Sequence, residues 1–330
     1  MQMATVVTGA TGFIGSHITR KLVERGDRVK VLVRKTSNTK NIDSLDVEKV
    51  YGDVGDPDSL KAAFSGCDTL FHTAGFVSFK KSDHQKMLDI NVRGASNVLS
   101  AAMDVGISKV VFTSSVAAIG VERDGSPVTE ATQYDLYSEG IGYMNCKYLA
   151  EREAKSFSEK GLPVVITNPS VVLGTGDIYL SSSGSVLWFC KKRFPGYMDG
   201  TFNLVDVEDV ANGHLLAEKN GKPGERYILA NENVNVRGYF ALLEEITGIS
   251  APKMKIPYVF AYTTAFLLER VLGLGFPNYS TLDIDSIRLS RYNWHADNSK
   301  AVKELGFTTT PIEQTIRKTV EWFRENGYLS

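Results

Sequence analysis

The sequence predicts an α/β protein with a doubly wound parallel sheet and a smaller, mostly helical C-terminal lobe. Three observations predict this class. Short apolar segments alternate with segments of helical spacing through the first half, a glycine-rich turn follows the first of them, and the alternation weakens beyond residue 169. Apolar runs rich in branched residues are typical of strands that helices cover on both faces. Their regular alternation with helices implies a parallel sheet.

The predicted strands are brief and nearly all apolar. They lie at 4–8, 29–33, 49–51, 69–73, 109–113, 163–167 and 226–229. After the first strand, Ile14, Ile18 and Leu22 share one face of a helix that should end at Gly26. A longer helical pattern spans 140–160.

The chain length predicts two structural units. Its 330 residues exceed one ordinary core, since domains commonly hold ~100–200 residues. We expect a dinucleotide-type sheet domain over residues 1–170 and mainly a substrate-binding lobe over 171–330. Later sheet elements near 200–230 should return to the first domain.

Composition and charge exclude several classes of function. Lys+Arg 37 and Asp+Glu 38 nearly cancel, which argues against a nucleic-acid or anionic-membrane partner. The three cysteines are too far apart in sequence for a zinc motif or a disulfide framework, and the scattered histidines predict no metal. No apolar run reaches ~18 residues, so we expect no membrane span. The N-terminus lacks the pattern of a signal peptide, which favours a cytoplasmic protein.

A glycine-rich turn, TGATGFIG at residues 8–15, lies between the first strand and the first helix. Such glycines allow a tight turn and close approach of the backbone to a pyrophosphate, which rests on the positive helix N-terminus. The turn therefore predicts a Rossmann sheet that binds a dinucleotide. The expected contacts are Gly9, Thr11, Gly12, Phe13, Ile14 and Gly15.

The end of the second predicted strand bears on the choice of coenzyme. An NAD site of this kind usually places an acidic residue there for the ribose 2′-hydroxyl, whereas this chain has Arg34 and Lys35. A guanidinium can pair with a 2′-phosphate. Arg34 therefore favours NADP(H), and NAD(H) remains the alternative if Arg34 is only solvated or stacks on the adenine.

A tyrosine and a lysine four residues apart, Tyr143 and Lys147, share a helix face. The ammonium group should stabilise the phenolate and lower the pKa of Tyr143 below its usual value of ~10. Tyr143 would then exchange a proton with a carbonyl oxygen as hydride moves. Ser115 ends a predicted strand at the edge where ligands bind in such sheets, and we expect it to polarise the same carbonyl. Thr113 at that strand end should contact the coenzyme.

Taken together, these motifs resemble the extended short-chain dehydrogenase/reductase family. The resemblance extends over nearly the whole chain, and within the family it points to the dihydroflavonol-reductase-like branch, which includes bacterial hopanoid-associated sugar epimerase homologues. The segments that carry it, besides residues 8–15, are Asp53-Val54, HTAG at 72–75, Asn91, FTSS at 112–115, YMNCK at 143–147, NPS at 168–170, and the stretches 203–207, 224–229 and 303–307.

The resemblance implies further roles in coenzyme binding. Asp53 would hydrogen-bond the adenine, with Val54 packed beside it, and Lys147 would also hold the nicotinamide ribose. The remaining implied contacts are backbone or short side chains that line the ribose, diphosphate and carboxamide: Thr73, Ala74, Gly75, Pro169, Ser170 and Val172. Asn91 would support a water relay behind Lys147 or act only as a structural cap.

Three functions are compatible with these features. The favoured one is an NADP(H)-dependent reductase or dehydrogenase acting on a medium-sized, largely apolar carbonyl compound or alcohol, because the expected pocket segments 75–79, 120–137 and 179–197 are rich in aromatic and apolar residues. The alternative is a nucleotide-sugar epimerase or dehydratase with tightly bound NAD, for which the basic stretch 191–193 would hold a second diphosphate. A dinucleotide-sensing regulator is the third.

Two expectations concern surfaces. The apolar segment 256–276 is interpreted as a core or lid helix of the small lobe, with contact to lipid as the alternative. The helices after Asn91 and around Tyr143 pair in many members of the family to form a homodimer, and we expect the same here.

Overall fold

The computed structural model describes residues 4–268 and 283–329, and the central feature of this part of the chain is a parallel sheet of seven strands. In the order in which they lie side by side, these strands are β3 (Glu48–Tyr51), β2 (Arg28–Val33), β1 (Ala4–Thr8), β4 (Cys67–His72), β5 (Lys109–Thr113), β6 (Val164–Pro169) and β9 (Arg226–Leu229). Chain order runs outward from β1 in both directions, so the fold is a doubly wound Rossmann sheet with its crevice between β1 and β4.

A second, three-stranded sheet extends from the C-terminal side of the first. It contains β7 (Val171–Leu173), β8 (Thr201–Asp206) and β10 (Glu232–Asn235), in which β8 pairs in parallel with β7 and antiparallel with β10. β7 follows β6 after Ser170, so the two sheets are continuous along the chain.

Helices cover both faces of the large sheet and build the small lobe. Their bounds are α1 (Phe13–Glu24), α2 (Pro57–Phe64), α3 (His84–Met87), α4 (Gly94–Asp104), α5 (Gly142–Glu159), α6 (Gly184–Cys190), α7 (Val207–Asn220), α8 (Val236–Thr247), α9 (Tyr258–Phe266), α10 (Ile284–Leu289) and α11 (Ile312–Glu325). A π-helical turn, Leu88–Arg93, joins α3 to α4, and another covers Ala301–Leu305.

Two apolar cores sandwich the large sheet, and a third supports the lobe. On one face, Ile18 and Leu22 of α1 pack with residues of α7 and with Phe307 near the C-terminus. On the other face, α2, α4 and α5 pack against β4, β5 and β6. The third core is formed by α6, α8 and α11 beneath the small sheet. The return of α7 and β9 to the large sheet means that residues beyond 170 complete its core.

The strands of the large sheet follow the predicted segments to within two residues at each end. The second sheet was not predicted, because β7 is short and β10, with the sequence ENVN, is largely polar. The predicted division at residue 170 stays a prediction. Of the segment 256–276, the first part contains α9, whereas residues 269–276 lie outside the described residues. No helix in the described ranges is long and apolar enough to cross a membrane.

Candidate active site

The glycine loop brings the start of α1 against the end of β4. A Cβ atom on Gly9, where φ is +76°, would lie 2.5 Å from the backbone nitrogen of Ala74, and a Cβ on Gly15 would lie 2.2 Å from the carbonyl oxygen of Gly9. The loop is closed by a 2.9 Å hydrogen bond from the Gly12 N–H to that same carbonyl. Glycine at positions 9 and 15 is therefore required by the close approach of three backbone segments.

The loop forms a cradle that suits the diphosphate of a dinucleotide. Gly12 is the N-cap of α1. As a glycine it has no side chain that could cap the helix, and the first turn of the helix carries no acidic residue. The first backbone N–H groups of any helix lack internal acceptors and attract anions. Thr11, Gly12 and Ile14 are partly accessible at this point, and Phe13 is buried beneath it.

The adenine side of the crevice lies at the ends of β2 and β3. The Gly52 N–H donates to the Val33 carbonyl at 3.1 Å, which places Arg34 and Asp53 at neighbouring strand ends. Arg34 is exposed, and its guanidinium makes no hydrogen bond or ion pair with the described residues. The Asp53 carboxylate accepts from the Gly55 N–H at 2.8 Å, and Val54 packs close to Gly94.

The segment after β4 connects the glycine loop to Lys147. Thr73 donates its hydroxyl to the Thr8 carbonyl at 2.7 Å, and a Cβ on Gly75 would lie 3.8 Å from Nζ of Lys147. Asn91 holds this segment: its Nδ2 donates to the Phe76 carbonyl at 2.8 Å, and its Oδ1 accepts from the Phe76 N–H at 2.7 Å. Both ends of the Asn91 amide are thus engaged with backbone.

Ser115, Tyr143 and Lys147 come together at the carboxyl end of the sheet. Tyr143 and Lys147 lie in the first two turns of α5, and Ser115 follows β5. The Ser115 hydroxyl hydrogen-bonds the Tyr143 phenol, accepts from the Ala117 N–H at 3.2 Å and lies 3.5 Å from the Pro169 carbonyl. The predicted group of three is therefore assembled in space.

The electrostatics of this group differ from the expectation for Tyr143. Burial raises the pKa of the Tyr143 phenol, and the hydrogen bond from Ser115 offsets only part of that increase. Burial also lowers the pKa of Lys147 to about 8, while the Glu151 carboxylate acts in the opposite direction. The predicted fall in the tyrosine pKa is thus wrong for the protein alone, because desolvation penalises the phenolate more than its neighbours favour it. Tyr143 is a neutral proton donor at pH 7.

Two buried histidines under the strand ends are structural. The His214 Nδ1–H donates to the Val210 carbonyl, so Nε2 accepts from the hydroxyls of Thr113 and Thr167, each at 2.9 Å. The hydroxyl proton of Thr113 is therefore engaged, so this hydroxyl could contact a coenzyme only as an acceptor. His72 hydrogen-bonds Thr8, and burial lowers its pKa to about 3 and that of His214 to about 4.

Ser170, the residue after β6, carries a buried hydroxyl group. Ser170 is buried, and its Oγ has no hydrogen-bond partner among the described residues. Buried hydroxyls are normally satisfied, so such an atom needs an explanation, and a polar group of the coenzyme would supply one. Pro169 and Val172 lie beside it, at the end of β6 and in β7. With the glycine cradle, this orphaned hydroxyl fits a bound dinucleotide.

The Tyr143 ring belongs to an apolar cluster. Phe79 contacts it edge-on, with ring centroids 5.5 Å apart, and the same cluster includes Leu289 and Trp294 from the small lobe. The Trp294 indole N–H donates to the Leu289 carbonyl at 2.9 Å. In contrast, Lys191–Arg193 are exposed and follow α6, which packs in the separate core of α8 and α11.

Sequence reasoning did not identify Leu289 and Trp294, because they lie about 150 residues beyond Tyr143 and carry no motif. It also gave no role to Glu151, whose spacing of four residues after Lys147 was the available signal. No cluster of three or more His, Cys, Asp or Glu side chains suited to a metal occurs in the described part of the chain.

The family model for "NAD dependent epimerase/dehydratase family" matches residues 5–230, which is more than half of the chain and includes the loop, Ser115, Tyr143 and Lys147.

The chain belongs to this family.

It is an extended short-chain dehydrogenase/reductase of the dihydroflavonol-reductase-like branch and an NAD(P)-dependent oxidoreductase. It is 40% identical to a Synechocystis protein with the provisional name dihydroflavonol 4-reductase, over 98% of this chain and 95% of that one. It is 33% identical to sterol demethylase protein B of Methylococcus capsulatus, over 99% and 100%. Among solved structures, gox2253 matches with a TM-score of 0.88 and 36% identity, over 99% of each chain.

Proposed function

We propose that this member of the family is an NADP(H)-preferring reductase whose substrate is a medium-sized, largely apolar carbonyl compound, or the corresponding alcohol in reverse. The observation that carries the proposal is the neutral Tyr143 phenol beside Ser115, in one apolar cluster with Phe79, Leu289 and Trp294. A proton donor in an apolar pocket suits reduction of a carbonyl group. The names of the reductase and sterol-related relatives are consistent with such a substrate.

In the proposed reaction, Tyr143 transfers the phenolic proton to the carbonyl oxygen. A reduced nicotinamide coenzyme, held by the glycine loop at residues 9–15 and by Lys147, would supply the hydride for the carbonyl carbon. The Ser115 hydroxyl orients the carbonyl by hydrogen bonding, and Lys147 in its charged form stabilises the phenolate left on Tyr143. In the proposal, the apolar rings of Phe79 and Trp294, which lie in the same cluster as Tyr143, reduce the access of water to the bound substrate, which would strengthen these polar interactions.

Replacement of Tyr143 by phenylalanine tests the catalytic role. Tyr143→Phe should lower kcat for NADPH-dependent reduction by about 10²–10⁴-fold and leave the Kd for NADPH unchanged. Tyr148→Phe, on the same helix and stacked on Tyr134, is the matched control and should keep wild-type activity. Substantial turnover by Tyr143→Phe would contradict the role.

The coenzyme preference rests on Arg34. Its exposed guanidinium at the end of β2, without a protein partner among the described residues, is free to pair with a 2′-phosphate. Arg34→Asp should reverse the preference from NADPH to NADH, because a carboxylate repels the phosphate and accepts from a ribose hydroxyl. Lys35→Asp makes the same charge change one residue along and should have a smaller effect. An unchanged ratio of kcat/KM values in Arg34→Asp would refute the assignment.

The nucleotide-sugar alternative makes a different prediction about bound coenzyme. An epimerase carries NAD through an internal redox cycle, so denatured protein would release about one equivalent of NAD. A reductase exchanges coenzyme in each turnover. We expect substoichiometric release, together with NADPH oxidation in a screen of aldehydes, ketones, flavonoid-like and sterol-like compounds. One equivalent of NAD and activity on nucleotide sugars would favour the alternative.

A further inference from the structure

A buried carboxylate lies on α5 one helical turn beyond Lys147. Glu151 is 2% exposed. Its Oε1 is 2.9 Å from Nη1 of Arg226 on β9, and its Oε2 accepts from the Ser114 hydroxyl and from Nδ2 of Asn168, each at 2.7 Å. These bonds orient both carboxylate oxygens.

The same cluster is joined to the backbone of Ser115. Nδ2 of Asn168 donates to the Ser115 carbonyl at 2.9 Å as well as to Glu151. Arg226 is anchored in turn, since its Nε and Nη2 donate to the carbonyls of Glu130 and Thr132. The carboxylate is thus held from β5, β6 and β9 rather than by its own helix alone.

Stability alone does not account for this arrangement. Removing two charges from water costs several kcal/mol per ion, and apolar residues of similar size often replace such pairs without loss. The position of Glu151 offers another explanation. Residues four apart on a helix are neighbours, so Glu151 lies on the same face of α5 as Lys147. No ion pair within 4.0 Å joins the two among the described residues, and the carboxylate, which also pairs with Lys155 at 3.3 Å, acts on the ammonium group through space.

The other groups around Lys147 do not supply a negative charge at neutral pH. Tyr143 and Cys146, on the same helix, are both neutral, since burial raises the pKa of each. His72 approaches from β4 and is neutral as well, because burial lowers its pKa to about 3. Glu151 itself is ionised: Arg226 and Lys155, with bonds from Ser114 and Asn168, hold its pKa below the usual value despite its burial.

We propose that Glu151 is a positioning residue for the coenzyme and the proton transfer, because its buried carboxylate keeps the ammonium group of Lys147 charged. The inference rests on the function proposed above. Lys147 must be charged to hold the ribose hydroxyls as a donor and to stabilise the Tyr143 phenolate, yet its partly enclosed position favours the neutral amine. Glu151 opposes that tendency without touching the coenzyme or the substrate.

Glu151→Gln tests the proposal, because it keeps the size and most hydrogen bonds of the side chain and removes its charge. The measurement is the Kd for NADPH from pH 6 to pH 9.5, by fluorescence titration. In the wild type, affinity should fall as pH rises through about 8, where Lys147 loses its proton. In Glu151→Gln the fall should begin about one pH unit lower, which gives up to tenfold weaker binding at pH 9 and nearly equal binding at pH 6.

Two further variants separate this effect from a loss of structure. Glu153→Gln removes a charge from the same helix and should leave the pH profile unchanged. Glu151→Gln combined with Arg226→Gln removes both charges of the pair and keeps a side-chain donor near the Glu130 and Thr132 carbonyls, so it should be at least as stable as the single variant while its pH profile stays displaced. If the double variant regains the wild-type profile, or if Glu151→Gln weakens binding equally at every pH, the residue is only structural.

The outcomes also distinguish this inference from the proposed function. A wild-type profile that falls near pH 8 and is unchanged in Glu151→Gln overturns the role of Glu151 alone. Full turnover by Tyr143→Phe overturns the reaction, whatever Glu151 does.

Discussion

The close approach at Gly15 makes a quantitative prediction about the coenzyme loop. In Gly15→Ala the new Cβ would lie 2.2 Å from the Gly9 carbonyl oxygen and 2.5 Å from Oγ1 of Thr73. Real Cβ atoms essentially never approach closer than 3.0 Å, so the Gly9 carbonyl must move by about 0.8 Å. That carbonyl accepts the hydrogen bond from the Gly12 N–H that closes the loop. A backbone carbonyl cannot move aside as easily as the end of a flexible side chain can.

Overpacking of this kind typically costs about 1–3 kcal/mol. If the displaced loop loses the same amount of binding free energy, NADPH affinity falls by about 5–150-fold, since each 1.4 kcal/mol is tenfold. The assays are thermal unfolding without coenzyme and NADPH titration by fluorescence. Gly15→Ala should lower both Tm, by several degrees, and affinity.

Two glycine variants are controls that separate the causes. In Gly12→Ala the new Cβ meets only the Gly9 carbonyl, at 3.2 Å, so Tm should change little while affinity falls through contact with the phosphate. In Gly26→Ala, where φ is +87° and no described atom lies within 4 Å, stability should fall by about 1–2 kcal/mol with wild-type affinity. Wild-type Tm and affinity in Gly15→Ala would refute the packing argument, and wild-type affinity in Gly12→Ala would refute the phosphate cradle.

Two other predictions concern the apolar cluster around Tyr143 and the contacts of Glu208 between α7 and α1. Trp294→Ala should raise KM for a bulky apolar carbonyl compound by about tenfold, a typical effect of lost apolar pocket contact. The KM for a two- or three-carbon aldehyde should change little. An equal change for both substrates would show that Trp294 does not contact the substrate. Glu208, bonded to His17 and paired with Lys21, has its pKa lowered to about 2, so its stabilising effect is full above pH about 4.5 and is lost as pH falls toward 2. Urea unfolding should therefore show Glu208→Gln less stable than wild type at pH 6, with a difference that shrinks between pH 4.5 and 3; a difference that grows in acid would contradict this sign.

The large sheet was predictable because its signal is local. Strands such as β1 and β5 are continuous apolar runs buried on both faces, and that burial leaves a direct mark on composition. β10 leaves no such mark, because alternate residues are exposed and its strand character comes from pairing with β8. A pairing partner 30 residues away cannot be inferred from the composition of one segment.

The grouping of Ser115, Tyr143 and Lys147 was predictable for a similar reason, since Tyr143 and Lys147 are neighbours on one helix and Ser115 closely follows a strand. Their electrostatics were not. Helical spacing suggested a lowered pKa for Tyr143, but burial by Phe79 and the surrounding cluster raises it. Desolvation depends on everything that surrounds a group, and most of those atoms come from distant parts of the chain.

The sequence by itself therefore determined the Rossmann class, the position of the glycine loop where only glycine fits, and the residue types available for proton transfer. Each of these depends on neighbours along one strand, turn or helix. Only the tertiary structure decided that α7 packs against α1 in the core of the large sheet, that Leu289 and Trp294 join the apolar cluster of Tyr143, and that Glu151 is buried against groups from β6 and β9. These depend on contacts between distant parts of the chain, such as Glu151 with Arg226, 75 positions apart, and His17 with Glu208, 191 positions apart, so burial and charge are set by the packed fold as a whole.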